Sequence, residues 1–570
     1  MQIKAYTIEM AMGQIIAQLT YDTIYHITKP YQFTTLKEES ISMANESTFK
    51  LTYATMFDPP EELHTRYSEA MSALKSNLGQ EFPLFIGGEE RFADEKLEEY
   101  SPIDTSVHLA TFQKGTAQDA KDAIAAAREA FPKWSRMNWD ERVYLMRKTA
   151  DIIDQRLFEI AAVVTLEVGK NRMEALGDVA ETADLIRYAC SQLEANNGYK
   201  VKMAKDPLTG YDATNHSVLK PHGVWVVISP FNFPAALTGG PSGAALTAGN
   251  TLVIKPASAT IWTTALLVDC MRQAGIPDGV VNFVSGPGSQ VGNVLVESEN
   301  VDGITFTGSF DVGMGIYRKF AERNYVRPTI LELGGKNPAI VSKNADIEDA
   351  AVGIVRSAFG LQGQKCSACS RVFVEEDVYD QLVDRVVALT KKLTIGDPAE
   401  RENYMGPVVT KGSYRDFKEF CAELKEAGTI LTGGDVLMEG DFGKGYFCPA
   451  TIAVDVPLTH RLWQHEMFVP ITMIHPVKDL QEAMTLANDT KYGLTAGFYG
   501  SEEEVGWFFD NIEAGVVYAN RPQGATTGAW PGYQPFGGWY GSGASGKNAG
   551  GLYYLPLYMH EQSQTHIRRA

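Results

Sequence analysis

Between residues 224 and 341 short apolar runs alternate with amphipathic stretches. The runs, 224–229, 251–254, 280–284, 303–306 and 329–333, are rich in Val, Ile, Thr and Phe and predict strands. The stretches between them predict helices near 241–248, 260–274, 289–298 and 312–322. Such alternation builds a parallel sheet flanked by helices, in which ligands sit at the carboxyl ends of the strands. The residues just after each run are therefore the ones to inspect: Asn232, Lys255, residues 286–292, Gly308, Ser309, Gly334 and Gly335. A second β/α set follows, with strands at 338–341 and 370–374 and helices at 375–393 and 411–427. Upstream, Thr116 and Asp119 form a capping signal, and Ala120, Ile124, Ala127 and Phe131 continue it at helical spacing. Further helices are expected at 140–158 and 174–195. The polar segment 202–222, with Pro207, Gly210 and Pro221, predicts a protruding hairpin. The aromatic tail 552–558 reads as an exposed strand, which needs a partner and points to a homo-oligomer, a dimer or an assembly of dimers.

Size and composition narrow the class. A chain of 570 residues holds roughly two to four domains. Residues 1–43 lack any period, and Met43 precedes a polar stretch, so Met43 is expected as the true start and the segment before it as an extension of unknown role. The net charge of -19 repels phosphate backbones and anionic lipid, which excludes nucleic acid and membrane surfaces as partners. An anionic substrate would need a local cationic or amide-lined pocket. Six cysteines in so long a chain are no disulfide framework, and free thiols fit the cytosol. No run reaches the roughly 18 apolar residues of a membrane helix, and no secretory signal is visible.

Several local strings can carry chemistry. Cys366 lies between Gly363 and Ser367, where backbone N–H groups can lower a thiol pKa; alone, such a cysteine is more often structural. Cys366 and Cys369 form a lone C-x-x-C without the second pair that a zinc site needs. Glu332 ends an apolar strand before Gly334 and Gly335, where burial raises a carboxyl towards the range of a general base; capping or pairing with Lys336 is the alternative. Asn232, set between aromatics and prolines, can donate to an oxyanion, though asparagine turns are common. Residues 286–292 carry one residue too many for the G-x-G-x-x-G dinucleotide fingerprint. Lys255 can bond a ribose or phosphate, or be an ordinary surface lysine.

Taken together and in order, the strings around Asn232, Lys255, Phe306 to Ser309, Glu332, Cys366, Glu466 to Phe468 and Phe536 resemble the aldehyde dehydrogenase superfamily over residues 80–565. The resemblance implies an α/β fold with two parallel α/β domains, a Rossmann-like cofactor domain (44–203 and 224–334) and a catalytic domain (335–549). A small β oligomerisation element (204–223 and 550–570) completes it. It implies Cys366 as nucleophile, Asn232 with the Cys366 N–H as oxyanion hole, and Glu332 as base for deacylation. NAD would be held by Ile228, Ser229, Phe231, Lys255, Ser258, Gly288, Gly292, Phe306, Gly308, Ser309, Val312, Leu333, Gly334, Glu466 and Phe468. Two positions depart from the common pattern. Val469 replaces a frequent glycine, and Ser258 stands where NAD-preferring members often carry Glu, so NADP stays open beside NAD.

The substrate class comes from residues 527–536, which look like the anchor loop of 1-pyrroline-5-carboxylate dehydrogenases. There Gly528 and Ala529 would offer backbone N–H groups to an α-carboxylate, Ser367 a hydroxyl, and Phe233 and Phe536 would sandwich the aliphatic chain. The expected reaction is oxidation of L-glutamate γ-semialdehyde to L-glutamate in proline catabolism. The competing readings are a dehydrogenase for another semialdehyde, such as succinate semialdehyde, and a silent scaffold on the same fold.

Overall fold

The computed structural model describes residue 51 and residues 59–569, apart from 208 and 323. The expected start at Met43 lies outside the described residues. Five parallel strands arise where the apolar runs predicted them: Val224–Ile228, Thr251–Lys255, Val281–Phe283, Gly303–Thr307 and Thr329–Glu332. In space the order is Thr329–Glu332, Gly303–Thr307, Val224–Ile228, Thr251–Lys255, Val281–Phe283, with the hairpin Leu84–Ile86 and Glu89–Arg91 closing the far edge. Only Leu84–Ile86 and Glu89–Arg91 run antiparallel to their neighbours. The strand order reverses beside Val224–Ile228, which opens a crevice beyond its carboxyl end. The strands are buried almost throughout because helices cover the sheet; Val224, Val226, Val253, Ile304 and Leu331 form one buried cluster with Ile124 and Ala127.

A second seven-stranded sheet follows, ordered Thr429–Thr432, Thr451–Val454, Ile471–Val477, Cys369–Glu375, Asn337–Val341, Thr495–Tyr499 and Val516–Ala519. It is parallel except at Thr429–Thr432. Only Leu333 to Lys336 separate the last parallel strand of the first sheet from Asn337–Val341 of the second. The base candidate Glu332 therefore sits at the seam.

Local signals set most element starts. Thr116 and Asp119 form the predicted capping box at the start of Ala117–Arg136, an arrangement worth about 1 kcal/mol. Thr410 caps Lys411–Ala427, whose bounds match the sequence expectation. Other expectations need correction. The 140–158 helix is two, Trp139–Gln155 and Leu157–Val168, broken at the non-helical Arg156. The helix expected from 241 begins at Ala236 and runs through Pro241, whose missing N–H falls in the second turn. In the 375–393 span a strand persists to Glu375 and the helix is Tyr379–Thr390. Residues 288–292 form a π-turn, which absorbs the extra residue.

The tail also differs. Residues 555–558 form a 3-10 turn, with Tyr554, Leu555 and Tyr558 buried. Those side chains leave the edge because they pack inward, and Pro556 cannot donate to a ladder. The strand comes immediately after, Met559–Arg569, and pairs along its whole length with Tyr211–Pro221 of the hairpin. Its first partner is thus within the chain. Among the described residues no helix is long and apolar enough to cross a membrane, and all six cysteines are free.

Candidate active site

Cys366 lies in the connection between the turn Gly360–Gly363 and the strand Cys369–Glu375. The turn is tight: Leu361 and Gln362 have φ of 49° and 53°. Gly363 follows at φ 68°, and a Cβ there would lie 2.5 Å from the Val469 carbonyl. Asn337 holds the Cys366 loop, its Nδ2 donating to the carbonyls of Cys366 at 2.7 Å and Ala368 at 2.9 Å. Gly335 is required beside it, since a Cβ would come within 2.3 Å of the Cys366 carbonyl. The paired glycines after Glu332 thus let two backbone segments approach. Burial, then the carboxyls of Glu466 and Glu332, push the Cys366 thiol above its ordinary range, so the resting group is a thiol.

Glu332 is the last residue of its strand and is buried. Its Oε2 has no hydrogen-bond partner among the described residues, and burial alone pushes its carboxyl up to about 8. The pairing with Lys336 weighed from the sequence does not form; the Lys336 Nζ is also buried without a partner among the described residues. An unpaired carboxyl raised in this way can take up a proton near neutral pH, which makes it a candidate base.

Asn232 is buried, and its Nδ2 donates to the Gln364 carbonyl at 2.9 Å, two residues before Cys366. An amide nitrogen has two N–H bonds, so one remains for a ligand.

A cavity of about 520 Å³ collects Cys366, Glu332, Ser367, Phe233, Gly528, Ala529 and Phe536. Residues 300 positions apart in sequence thus share one wall system. The N–H groups of Ala525, Thr526 and Trp530 are taken by Gly353 O, Ser357 Oγ and Gln534 O. Those of Gly528 and Ala529 have no acceptor among the described residues. Arg521 braces the loop by donating to the carbonyls of Thr527 at 2.7 Å and Gly528 at 3.3 Å. Gly528 has φ of +118°, and a Cβ there would lie 2.4 Å from the Arg521 guanidinium.

The residues assigned to a cofactor gather at the carboxyl edge of the first sheet. Ile228, Ser229 and Phe231 end and follow the central strand, and Ser229 Oγ accepts from Thr238. Lys255 ends the next strand, buried, with Nζ on the Pro256 carbonyl at 3.0 Å; burial lowers its amine to about 8. Gly292 packs against the Lys255 stem, and Gly288 faces open space. Ser258 is exposed. Phe306, Gly308 and Ser309 end the fourth strand, with Ser309 and the exposed Val312 at the start of Phe310–Ala321. Leu333 is buried. From the second half Glu466 reaches across, its Oε1 accepting from Gly335 N at 2.8 Å. A Cβ on Gly334 would lie 2.1 Å from Glu466 Oε2. Phe468, at φ 55°, meets Phe231 edge-on at 5.8 Å. A buried lysine, glycine gaps and a carboxylate converging on a switch-point crevice fit a dinucleotide.

Sequence reasoning missed several residues of the cavity and of the packing behind it. Lys170 is buried, pairs with Asp178 at 2.9 Å and stands 3.6 Å over the Phe233 ring. Asp178 also accepts from Ala236 N at 2.8 Å, so it fixes the backbone after Asn232. Glu181 lines the cavity, its carboxyl pushed up to about 8 by burial and then by Asp178. Trp530 donates to Asp184 at 3.1 Å, tying the 527–536 loop to the helix Arg172–Ala195. A charged triplet on an apolar helix face was the one available signal. As for the C-x-x-C, Cys369 is buried and its Sγ lies 3.6 Å from the Arg371 carbonyl, which it can reach as a donor. No group able to hold a metal exists among the described residues.

Comparison with known proteins places this architecture. The model of the aldehyde dehydrogenase family matches residues 90–563. The chain is 40% identical over 496 residues to the 1-pyrroline-5-carboxylate dehydrogenase of Geobacillus thermodenitrificans, covering 86% of this chain and 94% of the relative. It is similarly 40% identical to that of Bacillus cereus over 499 residues, with the same coverage of 86% and 94%. A solved 1-pyrroline-5-carboxylate dehydrogenase from Thermus with bound NAD superposes with a TM-score of 0.85 at 35% identity, over 93% of this chain and 100% of that one. Proline utilization A from Bdellovibrio bacteriovorus superposes with a TM-score of 0.83 at 35% identity, over 88% of this chain but 51% of that one. The chain belongs to the aldehyde dehydrogenase family.

Proposed function

We propose that this enzyme oxidises L-glutamate γ-semialdehyde, the open form of 1-pyrroline-5-carboxylate, to L-glutamate, with NAD as electron acceptor. The observation that carries the reading is the shared cavity: Gly528 and Ala529, whose N–H groups have no acceptor among the described residues, line the same space as Cys366 and Glu332. The names of the relatives at 40% identity and the NAD bound in the Thermus structure support it. Two unpaired backbone N–H groups in a positive-φ loop suit a carboxylate, which explains how a chain of charge -19 takes an acidic substrate. Glu181 supplies a carboxyl for the substrate's ammonium from another wall of the cavity.

Cys366 gives its thiol proton to water and its Sγ adds as thiolate to the aldehyde carbon; the C=O π pair moves to oxygen, and the alkoxide receives the second Asn232 N–H and the Cys366 N–H. Bound NAD supplies the acceptor for the hydride; Lys255, Glu466 and the glycine gaps at 288, 292 and 334 would hold it. Removal of hydride leaves a thioester on Cys366. Glu332 then takes a proton from water as its oxygen attacks the thioester carbon, the C–S bond breaks, and Cys366 leaves as thiolate. In this reading the sheet ending at Glu332 is the cofactor domain and the sheet beginning at Asn337 the catalytic domain. We place the enzyme in the cytosol, a setting that the six free thiols support. The outer edge of Met559–Arg569, paired only on its Tyr211–Pro221 side among the described residues, supports a homo-oligomer.

Gly528→Ala should raise KM for glutamate semialdehyde about tenfold or more, since both the φ and the Cβ contact with Arg521 strain the loop. KM for propanal, which has no carboxylate, should change far less. Equal losses for both aldehydes would remove the anchor assignment. Ser258→Glu should lower use of NADP while sparing NAD, measured as the ratio of kcat/KM for the two cofactors. An unchanged ratio would take Ser258 out of the ribose site.

A further inference from the structure

The cavity wall beside Glu332 is completed by Tyr554. Its ring is buried, and its Oη lies 2.9 Å from the Tyr558 Oη. Tyr558 Oη is 3.2 Å from Thr305 Oγ1, which accepts from Trp225 Nε1 at 2.9 Å. All four side chains are buried. Four polar groups from three distant segments thus form one chain, inside otherwise apolar packing, that ends at the catalytic cavity. An indole N–H only donates, so it occupies an acceptor site on Thr305. In each of the other two contacts either hydroxyl can donate; with Thr305 donating to Tyr558 and Tyr558 to Tyr554, the polarity runs towards the cavity. The Tyr554 O–H then has no acceptor among the described residues and opens onto the cavity that holds Glu332. Each bond polarises the next, which strengthens the terminal donor. The unpartnered Glu332 Oε2 and the Tyr554 donor are complementary ends separated by ligand space. A water between them would donate to Glu332, accept from Tyr554, and keep a lone pair for the thioester.

We propose that Tyr554, aligned by Tyr558 and Thr305, is a positioning residue that orients the hydrolytic water for deacylation of Cys366. The proposal rests on the thioester chemistry stated under Proposed function. No proton leaves Tyr554: the water gives one proton to Glu332, its oxygen bonds the acyl carbon, and sulfur departs as thiolate.

The test is rapid-mixing absorbance of reduced cofactor with NAD and glutamate semialdehyde, using wild type, Tyr554→Phe and Tyr558→Phe. Phenylalanine keeps the ring and removes only the hydroxyl. For Tyr554→Phe the expected result is a burst of about one equivalent of reduced cofactor, then a steady rate lower by on the order of tenfold. KM should be little changed, and the rise of kcat near pH 8 should shift. Tyr558→Phe should show the same pattern, weaker. If wild type reduces no cofactor, the dehydrogenase reading fails first. If wild type turns over and Tyr554→Phe matches its burst, steady rate and pH profile, the dehydrogenase stands and the role of Tyr554 is overturned. Loss of the burst together with the steady rate also overturns it, because that places the defect before deacylation. Should Tyr554→Phe not fold, judged by circular dichroism, Tyr558→Phe carries the same comparison.

Discussion

Cys366→Ala is expected to reduce dehydrogenase turnover by at least about 10⁴-fold, on the scale known for removing a covalent nucleophile. No other thiol can replace it. Cys369 is the nearest in sequence, yet it is buried and its Sγ is turned to the Arg371 carbonyl. The variant should fold normally, because the loop is held through the Cys366 carbonyl by Asn337, a bond that alanine keeps. Its melting temperature should therefore stay close to wild type while reduced-cofactor absorbance stays flat. Alanine should also still bind NAD, seen as quenching of tryptophan fluorescence. Retained turnover in Cys366→Ala would mean that the cavity works through direct hydride transfer from a hydrated aldehyde, and the thioester scheme would fall.

Glu332→Gln should lower steady turnover by about 10²- to 10³-fold, the usual range for losing a general base. The fast release of one equivalent of reduced cofactor should survive, because addition and hydride removal precede the step that needs Glu332. The wild-type kcat should rise with pH through about 8, where the buried carboxyl ionises. That limb should vanish in Glu332→Gln. Stability should move the other way. The folded carboxyl is raised from 4.5 to about 8, so between these values the folded state binds more protons than the unfolded one. Wild-type stability therefore falls as pH rises through that window. Glutamine removes this term, so the variant should melt higher than wild type at pH 9 and similarly at pH 5. A kcat profile in the variant that still rises near pH 8 would assign the limb to another group. Glu181 is the natural alternative, with a carboxyl also near 8.

How much of this was legible beforehand depended on distance along the chain. The five parallel strands and the helices between them were readable, because periodicity and capping act over a few residues. The same holds for Thr116 with Asp119 and for Lys411–Ala427. Glu332, Asn232 and Cys366 stood out through neighbouring glycines and prolines and through resemblance. Their weighed alternatives could not be settled there. Whether Glu332 pairs with Lys336 depends on where two side chains four residues apart point once both are buried, and neither Glu332 Oε2 nor Lys336 Nζ has a partner among the described residues.

Errors clustered where packing overrode local pattern. The run 552–558 has the aromatic composition of a strand, yet burial of Tyr554 and Tyr558 made it a turn. The helix expected near 241–248 starts at Ala236 and includes Pro241 in its second turn.

The amino-acid sequence by itself determined the β/α alternation, the capped helices, the anion-repelling charge and the identities of the reactive groups, since each is set by nearest neighbours or by composition. The tertiary structure alone decided which of those groups meet. It brought residues 332, 366 and 528 to one cavity, set Lys170 over Phe233, and joined Tyr554 to Trp225 through Tyr558 and Thr305. Burial, which sets the Glu332 carboxyl near 8, is a property of that assembly: desolvation depends on every segment packed around the group, and no local string of residues contains it.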